Sequence, residues 1–220
     1  MILLSVDTSG ATGSLALAQL SEKSVTSLEQ VAWTKKAMHS EVATVELQNL
    51  LDKSKVGLKD LTHLCVNVGP GSFTGLRVGL SMIKTLAYSL GLPVCTLNTL
   101  EVLAFKQASN GEKVLVATKA VQNFYYAGGF SRTSTGVTAT LVPEPIESQR
   151  LQILTSDFTK VRIEGVTPDF DPTTRAQDLV EVLSASGFSL PFSSWKNVEP
   201  LYLRASEAEE KLKRGLLKPV

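Results

Sequence analysis

The residues best placed to do chemistry in this 220-residue chain are an acid and a glycine-rich turn. Asp7 closes the apolar run Ile2-Leu3-Leu4-Ser5-Val6 and is followed by Thr8-Ser9-Gly10. Further on, Leu64-Cys65-Val66-Asn67-Val68 runs into Gly69-Pro70-Gly71-Ser72-Phe73-Thr74-Gly75-Leu76-Arg77, and a helical pattern continues from Val78 to Leu90. Gly permits positive φ and Pro fixes its own, so Gly69 to Gly71 reads as a sharp turn. Ser72 then reads as the N-cap of the helix behind it. In a strand, turn and helix of this kind the first backbone N–H groups point outward and could hold an anion. The stretch has neither the Lys-Ser/Thr of a P-loop nor the dinucleotide spacing. The same glycines would also let strand and helix pack closely, and spacing alone leaves both readings open.

The rest of the chain offers little reactive chemistry. His39 and His63 lie far apart and outside any His-x-x-x-His spacing, too few ligands for a metal site. His39 precedes Ser40 and Glu41, which suit a helix start by capping and by charge. His63 opens a strand. Asp157, Asp169 and Asp171 read as solvated loop acids, and no Ser, His and Asp set surrounds a nucleophile elbow. Cys65 and Cys95 sit in apolar runs and read as buried thiols, not as a disulfide or zinc site. No catalytic, cofactor-binding or metal-ligating residue is therefore assigned, and no cofactor is expected. A composition of 43% hydrophobic and 20% charged residues is that of an ordinary soluble domain, and a net charge of +1 argues against a chain that coats nucleic acid by itself. Met1 to Leu4 reaches Asp7 too soon for a signal peptide, and no apolar run spans a bilayer. The expectation is a cytoplasmic protein without membrane contact.

These residues need elements to position them. Residues 2–7, 13–20 and 25–33 read as strands, followed by a helix over 40–54, a strand over 62–68 and a helix over 73–90. That order is βββαβα. A strand over 93–97 and a helix over 99–107 lead to the second half. There, strands over 114–117, 124–132 and 136–142, a short helix after Pro145, a strand over 159–164 and a helix over 174–186 repeat it. The prediction is an α/β chain of two tandem lobes. The N-terminal lobe covers 1–104, with a returning helix in 205–220 (Ser206 to Arg214), and the C-terminal lobe covers 105–204. Two βββαβα units resemble the actin-like (ribonuclease H-like) ATPases of the ASKHA superfamily, in which an Asp after the first strand helps hold metal-bound phosphate. That likeness is one of fold.

Helix faces give a second class of candidate. At 100° per residue, Ala43, Leu47, Leu50 and Leu51 form the face that should cover the sheet. Met38, Val42, Val45 and Asn49 form a strip on roughly the opposite side, where such a helix should be polar, and this strip hints at a partner. On the next helix Gly75 and Gly79 lie one turn apart, for packing inside the domain or for close docking of another helix. Arg77, Ser81, Lys84 and Tyr88 line a polar face. The candidate partner interface is therefore Met38, His39, Val42, Val45, Asn49, Gly75, Arg77, Gly79 and Lys84.

Several of these pieces resemble the bacterial TsaB family, also called YeaZ. They are the opening Ile2 to Ser9, His39-Ser40-Glu41, Leu58-Lys59-Asp60-Leu61, the long motif Gly69 to Gly79, Gly91-Leu92-Pro93-Val94 and Pro200-Leu201-Tyr202-Leu203-Arg204, the family's closing strand. The likeness is dense over 1–104 and thin over 105–198. It implies a non-catalytic subunit, similar in fold to the metal-bearing subunit TsaD but without its metal-binding histidines. Such a subunit works with TsaD and the ATPase TsaE to place a threonylcarbamoyl group on a tRNA adenosine, touches tRNA indirectly, and forms a homodimer when alone. Pairing through N-terminal helices would correspond here to the helix beginning at His39-Ser40-Glu41 and the helix after the glycine turn, which coincides with the strip Met38, Val42, Val45 and Asn49. The chain departs from the family at Lys119-Ala120-Val121, where relatives carry Asp-Ala-Arg. Two other classes are weighed: an ATP-dependent phosphotransferase or ATPase with Asp7 at its metal, which lacks an acid-rich second phosphate loop, and an endopeptidase, which lacks metal ligands or a nucleophile.

Overall fold

The computed structural model describes residues 1–21, 24–34 and 39–204. The expectations for Met38 and for the returning helix Ser206 to Arg214 lie outside the described residues. A first sheet contains β1 (Ile2–Asp7), β2 (Gly13–Leu20), β3 (Val25–Trp33), β4 (His63–Asn67) and β5 (Val94–Leu97), with α1 (His39–Ser54) and α2 (Phe73–Leu90) in the connections. After α3 (Thr99–Gln107), a second sheet contains β6 (Lys113–Lys119), β7 (Phe124–Thr133), β8 (Gly136–Glu147) and β9 (Lys160–Ile163), with α4 (Ser148–Leu154) before β9. Then come α5 (Ala176–Ala185) and β10 (Phe192–Ser193). The strand orders are β10-β5-β4-β1-β2-β3 and β8-β7-β6-β9.

Alternation along the strands sends side chains to opposite faces of each sheet. In the first sheet Leu4, Val6, Leu15, Leu17, Leu64 and Val66 meet Leu47, Leu50 and Leu51 of α1 and Leu76, Leu80 and Ile83 of α2. Leu3, Ala16, Ala18, Cys65 and Cys95 point the other way, onto Leu179, Val180, Val182 and Leu183 of α5. Burial on both faces is why these strands read as near-continuous apolar runs. The two thiols are register partners on neighbouring parallel strands, and burial pushes the Cys65 thiol up. In the second sheet Val114, Val116 and Phe130 pack with Leu100, Leu103 and Ala104 of α3. Leu115, Ala117, Ala127 and Ile163 pack with Leu151 of α4.

The two cores interlock. Helix α3 leaves the first sheet and covers the second, whereas α5 leaves the second and covers the first. Lys106 of α3 and Asp178 of α5 tie the two helices together at 2.8 Å, with the Asp178 side chain only 4% exposed. Two local differences from the sequence reading have simple causes. Strand β8 continues through Pro143 and Pro145 to Glu147, because it is an edge strand and loses no ladder bond to a proline. Helix α5 starts at Ala176 because Thr174 and Arg175 are held elsewhere, Arg175 with extended backbone. Residues 200–204, read as a closing strand, are not one. Leu201 makes a backbone bond to Val68 O at 2.8 Å, and the segment from Trp195 to Tyr202 runs along α2 instead.

Candidate functional site

Asp7 is wholly buried at the end of β1, and both of its carboxylate oxygens accept hydrogen bonds from the chain itself. Oδ1 takes the Ser9 N–H at 2.9 Å and the Ser9 hydroxyl at 2.7 Å. Oδ2 takes the Asn67 amide at 3.0 Å and the Thr174 hydroxyl at 2.6 Å. Asn67 Oδ1 in turn accepts from Gly69 N at 2.9 Å and from the Thr99 hydroxyl at 3.0 Å. The cluster thus joins β1, the end of β4, the start of α3 and the approach to α5. That approach is shaped by Asp171, whose carboxyl is held below the usual range by hydrogen bonding to Thr173, and Lys106 donates to Thr173 O at 3.3 Å. Sequence reasoning singled out Asp7 but missed Asn67, Thr99 and Thr174.

The glycine turn resolves in favour of close packing. Ser72 caps α2 by accepting from Gly75 N, while its own N–H goes to Ser9 O at 2.7 Å. The Thr8 hydroxyl donates to Gly75 O at 2.7 Å. A Cβ on Gly71 would overlap Ser9 O, one on Gly75 would overlap Thr8 O, and one on Gly79 would lie 2.5 Å from Thr8 Oγ1. Helix α2 is therefore seated on the β1–β2 turn, with Ser72 N–H and Gly75 N–H bonded within the chain. Gly75→Ala is expected to destabilise the protein by about 1–3 kcal/mol, since the added methyl meets backbone that cannot rotate away. Denaturant melts measure it, and an unchanged midpoint would contradict the packing role.

The candidate interface residues separate into three groups. On α1, Val45 is 58% exposed, Asn49 is exposed and Val42 is half-buried; His39 is the first residue of the helix. On α2, Gly75 and Gly79 are buried against Thr8, which corrects their place in a partner-facing set. Arg77 is exposed, with its guanidinium 4.1 Å from the Phe73 ring centre and its Nε donating to the Tyr202 hydroxyl at 3.3 Å. Lys84 is engaged by the chain: its ammonium donates to Val198 O at 2.9 Å and to Glu199 at 3.3 Å. Tyr88 is 71% exposed and meets Trp195 edge-on. The segment 195–202 thus covers part of the polar face of α2, a contact between residues more than a hundred positions apart that periodicity cannot reveal. Among the described residues, no group of three or more His, Cys, Asp or Glu could hold a metal ion, and no helix is long and apolar enough to cross a membrane.

Comparison with known proteins adds four findings. Residues 29–146 match the family model described as TsaD, tRNA N6-adenosine threonylcarbamoyltransferase. The tRNA threonylcarbamoyladenosine biosynthesis protein TsaB of Bacillus subtilis is 29% identical over 192 residues, which is 86% of this chain and 79% of that protein. A shorter stretch of 63 residues is 41% identical to the tRNA N6-adenosine threonylcarbamoyltransferase of Clostridioides difficile, covering 29% of this chain and 19% of that one. In fold, the chain resembles a Pseudomonas aeruginosa protein described as similar to peptidase YeaZ, with a TM-score of 0.75 at 20% identity over 92% of this chain and 99% of that one.

Proposed function

The chain belongs to the TsaB (YeaZ) family, and we propose that it is a non-catalytic subunit of the assembly that makes threonylcarbamoyladenosine in tRNA. The observation that carries the non-catalytic reading is the state of Asp7. An acid that held metal-bound phosphate would present an oxygen to the ligand. Both oxygens of this one accept from buried protein donors instead. The helix start behind the glycine turn, the other candidate for phosphate, is seated on the β1–β2 turn. A phosphotransferase or ATPase reading is left without its first anchoring group.

In this reading the two sheets are the cores of two actin-like lobes of βββαβα order in a cytoplasmic protein, split near residue 105, with α5, β10 and the segment 195–202 belonging to the first lobe and not to a second lobe that runs to 204. The partner is a TsaD-like catalytic subunit, with a TsaE-like ATPase in the same assembly and tRNA reached through the partner. Alone, the chain forms a homodimer. The exposed strip on α1 around Val45 and Asn49, with Arg77 of α2, is the proposed contact. Support comes from the likeness of part of the chain to TsaD-type proteins, since two related subunits can pair through equivalent helices. The test pairs two measurements on the pure chain. Co-purification with a TsaD-like subunit is expected to yield a stable complex, and ATP hydrolysis by the chain alone is expected at the level of a mock preparation. Robust hydrolysis abolished by Asp7→Ala would overturn the non-catalytic reading. Failure to bind any TsaD-like subunit would overturn the partner reading.

A further inference from the structure

We propose that Thr174 closes a latch that locks the start of α5 onto the first sheet and thereby couples the two halves of the chain. By chain order α5 follows the second sheet, yet its apolar face covers the first. Its first turn is sewn there by polar bonds. The Thr174 hydroxyl donates to Asp7 Oδ2 at 2.6 Å and accepts from the Asn67 amide at 3.1 Å. Two residues on, Ala176 N donates to the Ser14 hydroxyl at 2.8 Å, and Ala176 O accepts from the Ser5 hydroxyl at 2.8 Å. All five side chains are buried: Ser5 and Asp7 at 0%, Asn67 at 2%, Ser14 at 3% and Thr174 at 5% exposure.

Three features make this a latch and not just more packing. Arg175, the residue at the N-cap of α5, gives no side-chain cap bond, so Ser14 of β2 satisfies an N-terminal donor from across the junction. Asp178 caps the Arg175 N–H from within the helix at 2.8 Å, whereas the Ala176 N–H has its side-chain acceptor only while the helix rests on the sheet. Second, hydrogen bonds are directional where apolar contact is not, so the seam fixes the position of α5 along β1 and β2. Third, the acceptor is a buried carboxylate, and bonds to charged groups are about twice as strong as neutral ones. Ser5, Asp7 and Ser14 lie on one face of the sheet, because Ser5 and Asp7 are two apart on β1 and Ser14 is the register partner of Asp7. Ala16, Ala18 and Cys65 on that face are small, and Leu3 and Leu20 flank them in the same apolar contact with α5.

Amide hydrogen exchange on the full chain tests the proposal, comparing wild type, Thr174→Val and Thr174→Ser. Valine keeps the shape and removes the hydroxyl; serine keeps the hydroxyl. With the latch broken, exchange in peptides covering 8–14 and 174–180 should rise roughly ten- to a hundredfold, as for loss of a bond to a charged group. Peptides covering 113–119 and 160–163, in the core of the second sheet, should keep wild-type rates, and the serine variant should behave as wild type throughout. Wild-type rates everywhere in the valine variant would overturn the latch. So would a uniform rise over all peptides, which would make Thr174 a general stabiliser, or equal effects of valine and serine, which would make its methyl group the cause. Should the valine variant not fold, Ser14→Ala removes the cross-junction cap while leaving the donors to Asp7 in place. Wild-type exchange over 174–180 in that variant would equally refute the proposal.

Discussion

Val45→Glu is expected to leave the isolated chain folded and to abolish stable pairing with a TsaD-like subunit. Val45 is 58% exposed on α1, and substitutions at such positions typically change stability by about 0.5 kcal/mol or less. In a chain of this size that corresponds to a melting shift of roughly 1–2 °C. Inside an interface the same carboxylate would be buried without a partner. An uncompensated buried charge costs about 3–5 kcal/mol, which weakens binding by roughly a hundred- to several thousandfold. Val42, half-buried one turn earlier, is a poorer probe, because a charge there would also disturb the monomer. Leu47→Glu is the control: Leu47 is 6% exposed within the core between α1 and the first sheet, and that variant should not fold. Thermal melting and elution on a sizing column, with and without the TsaD-like subunit, separate the outcomes. A Val45→Glu protein that keeps both its melting temperature and its partner would move the contact off this strip, toward the exposed guanidinium of Arg77.

How much of this was legible in the residues follows from the range of the interactions. The strand and helix order could be read because alternation and the 3.6-residue period are local, and the predicted helix over 73–90 coincides with α2. The N-cap role of Ser72 is equally local. The direction of the glycine turn could not be read, because what settles it is the β1–β2 turn some sixty residues earlier, where Thr8 and Ser9 fill the space a side chain would need. Thr174 was invisible for the same reason on a larger scale: its acceptor lies 167 residues away, and a threonine at the start of a helix carries no mark of it. One signal was available. Ser5 and Asp7 interrupt an otherwise apolar β1 at alternate positions, and two buried polar groups on one face of a strand need donors or acceptors from whatever covers that face. The same limit explains Lys84. Its place on a polar helix face is periodic and readable, whereas its bonds to Val198 and Glu199 depend on where the end of the chain returns.

Asp7→Ala is expected to lower stability, and the sign of that change separates the two classes of function. If Asp7 held a ligand, its carboxylate would be an unfavourable buried group in the empty protein. Removing it would leave the melting temperature unchanged or raised, the usual trade-off at active sites. Here the carboxylate is the acceptor for Ser9 N–H, the Ser9 hydroxyl, the Asn67 amide and the Thr174 hydroxyl. The two hydroxyls can rotate toward other acceptors. The Ser9 N–H is fixed by the backbone, and the Asn67 amide is fixed by the bonds its oxygen takes from Gly69 N and Thr99. The Ser9 N–H would be left buried without an acceptor, at about 1–3 kcal/mol, while the Asn67 amide would keep only the Thr174 and Ser9 hydroxyls in place of the stronger charged acceptor. Together with the cavity, that amounts to a fall in melting temperature on the order of 10 °C for a chain of this length. Asp7→Asn keeps one acceptor oxygen but points an NH2 at a donor, so it should fall between alanine and wild type. Calorimetry on the three proteins decides the matter. A melting temperature of Asp7→Ala at or above that of wild type would mean that the cluster strains the fold instead of holding it, and would restore Asp7 as a ligand-binding residue.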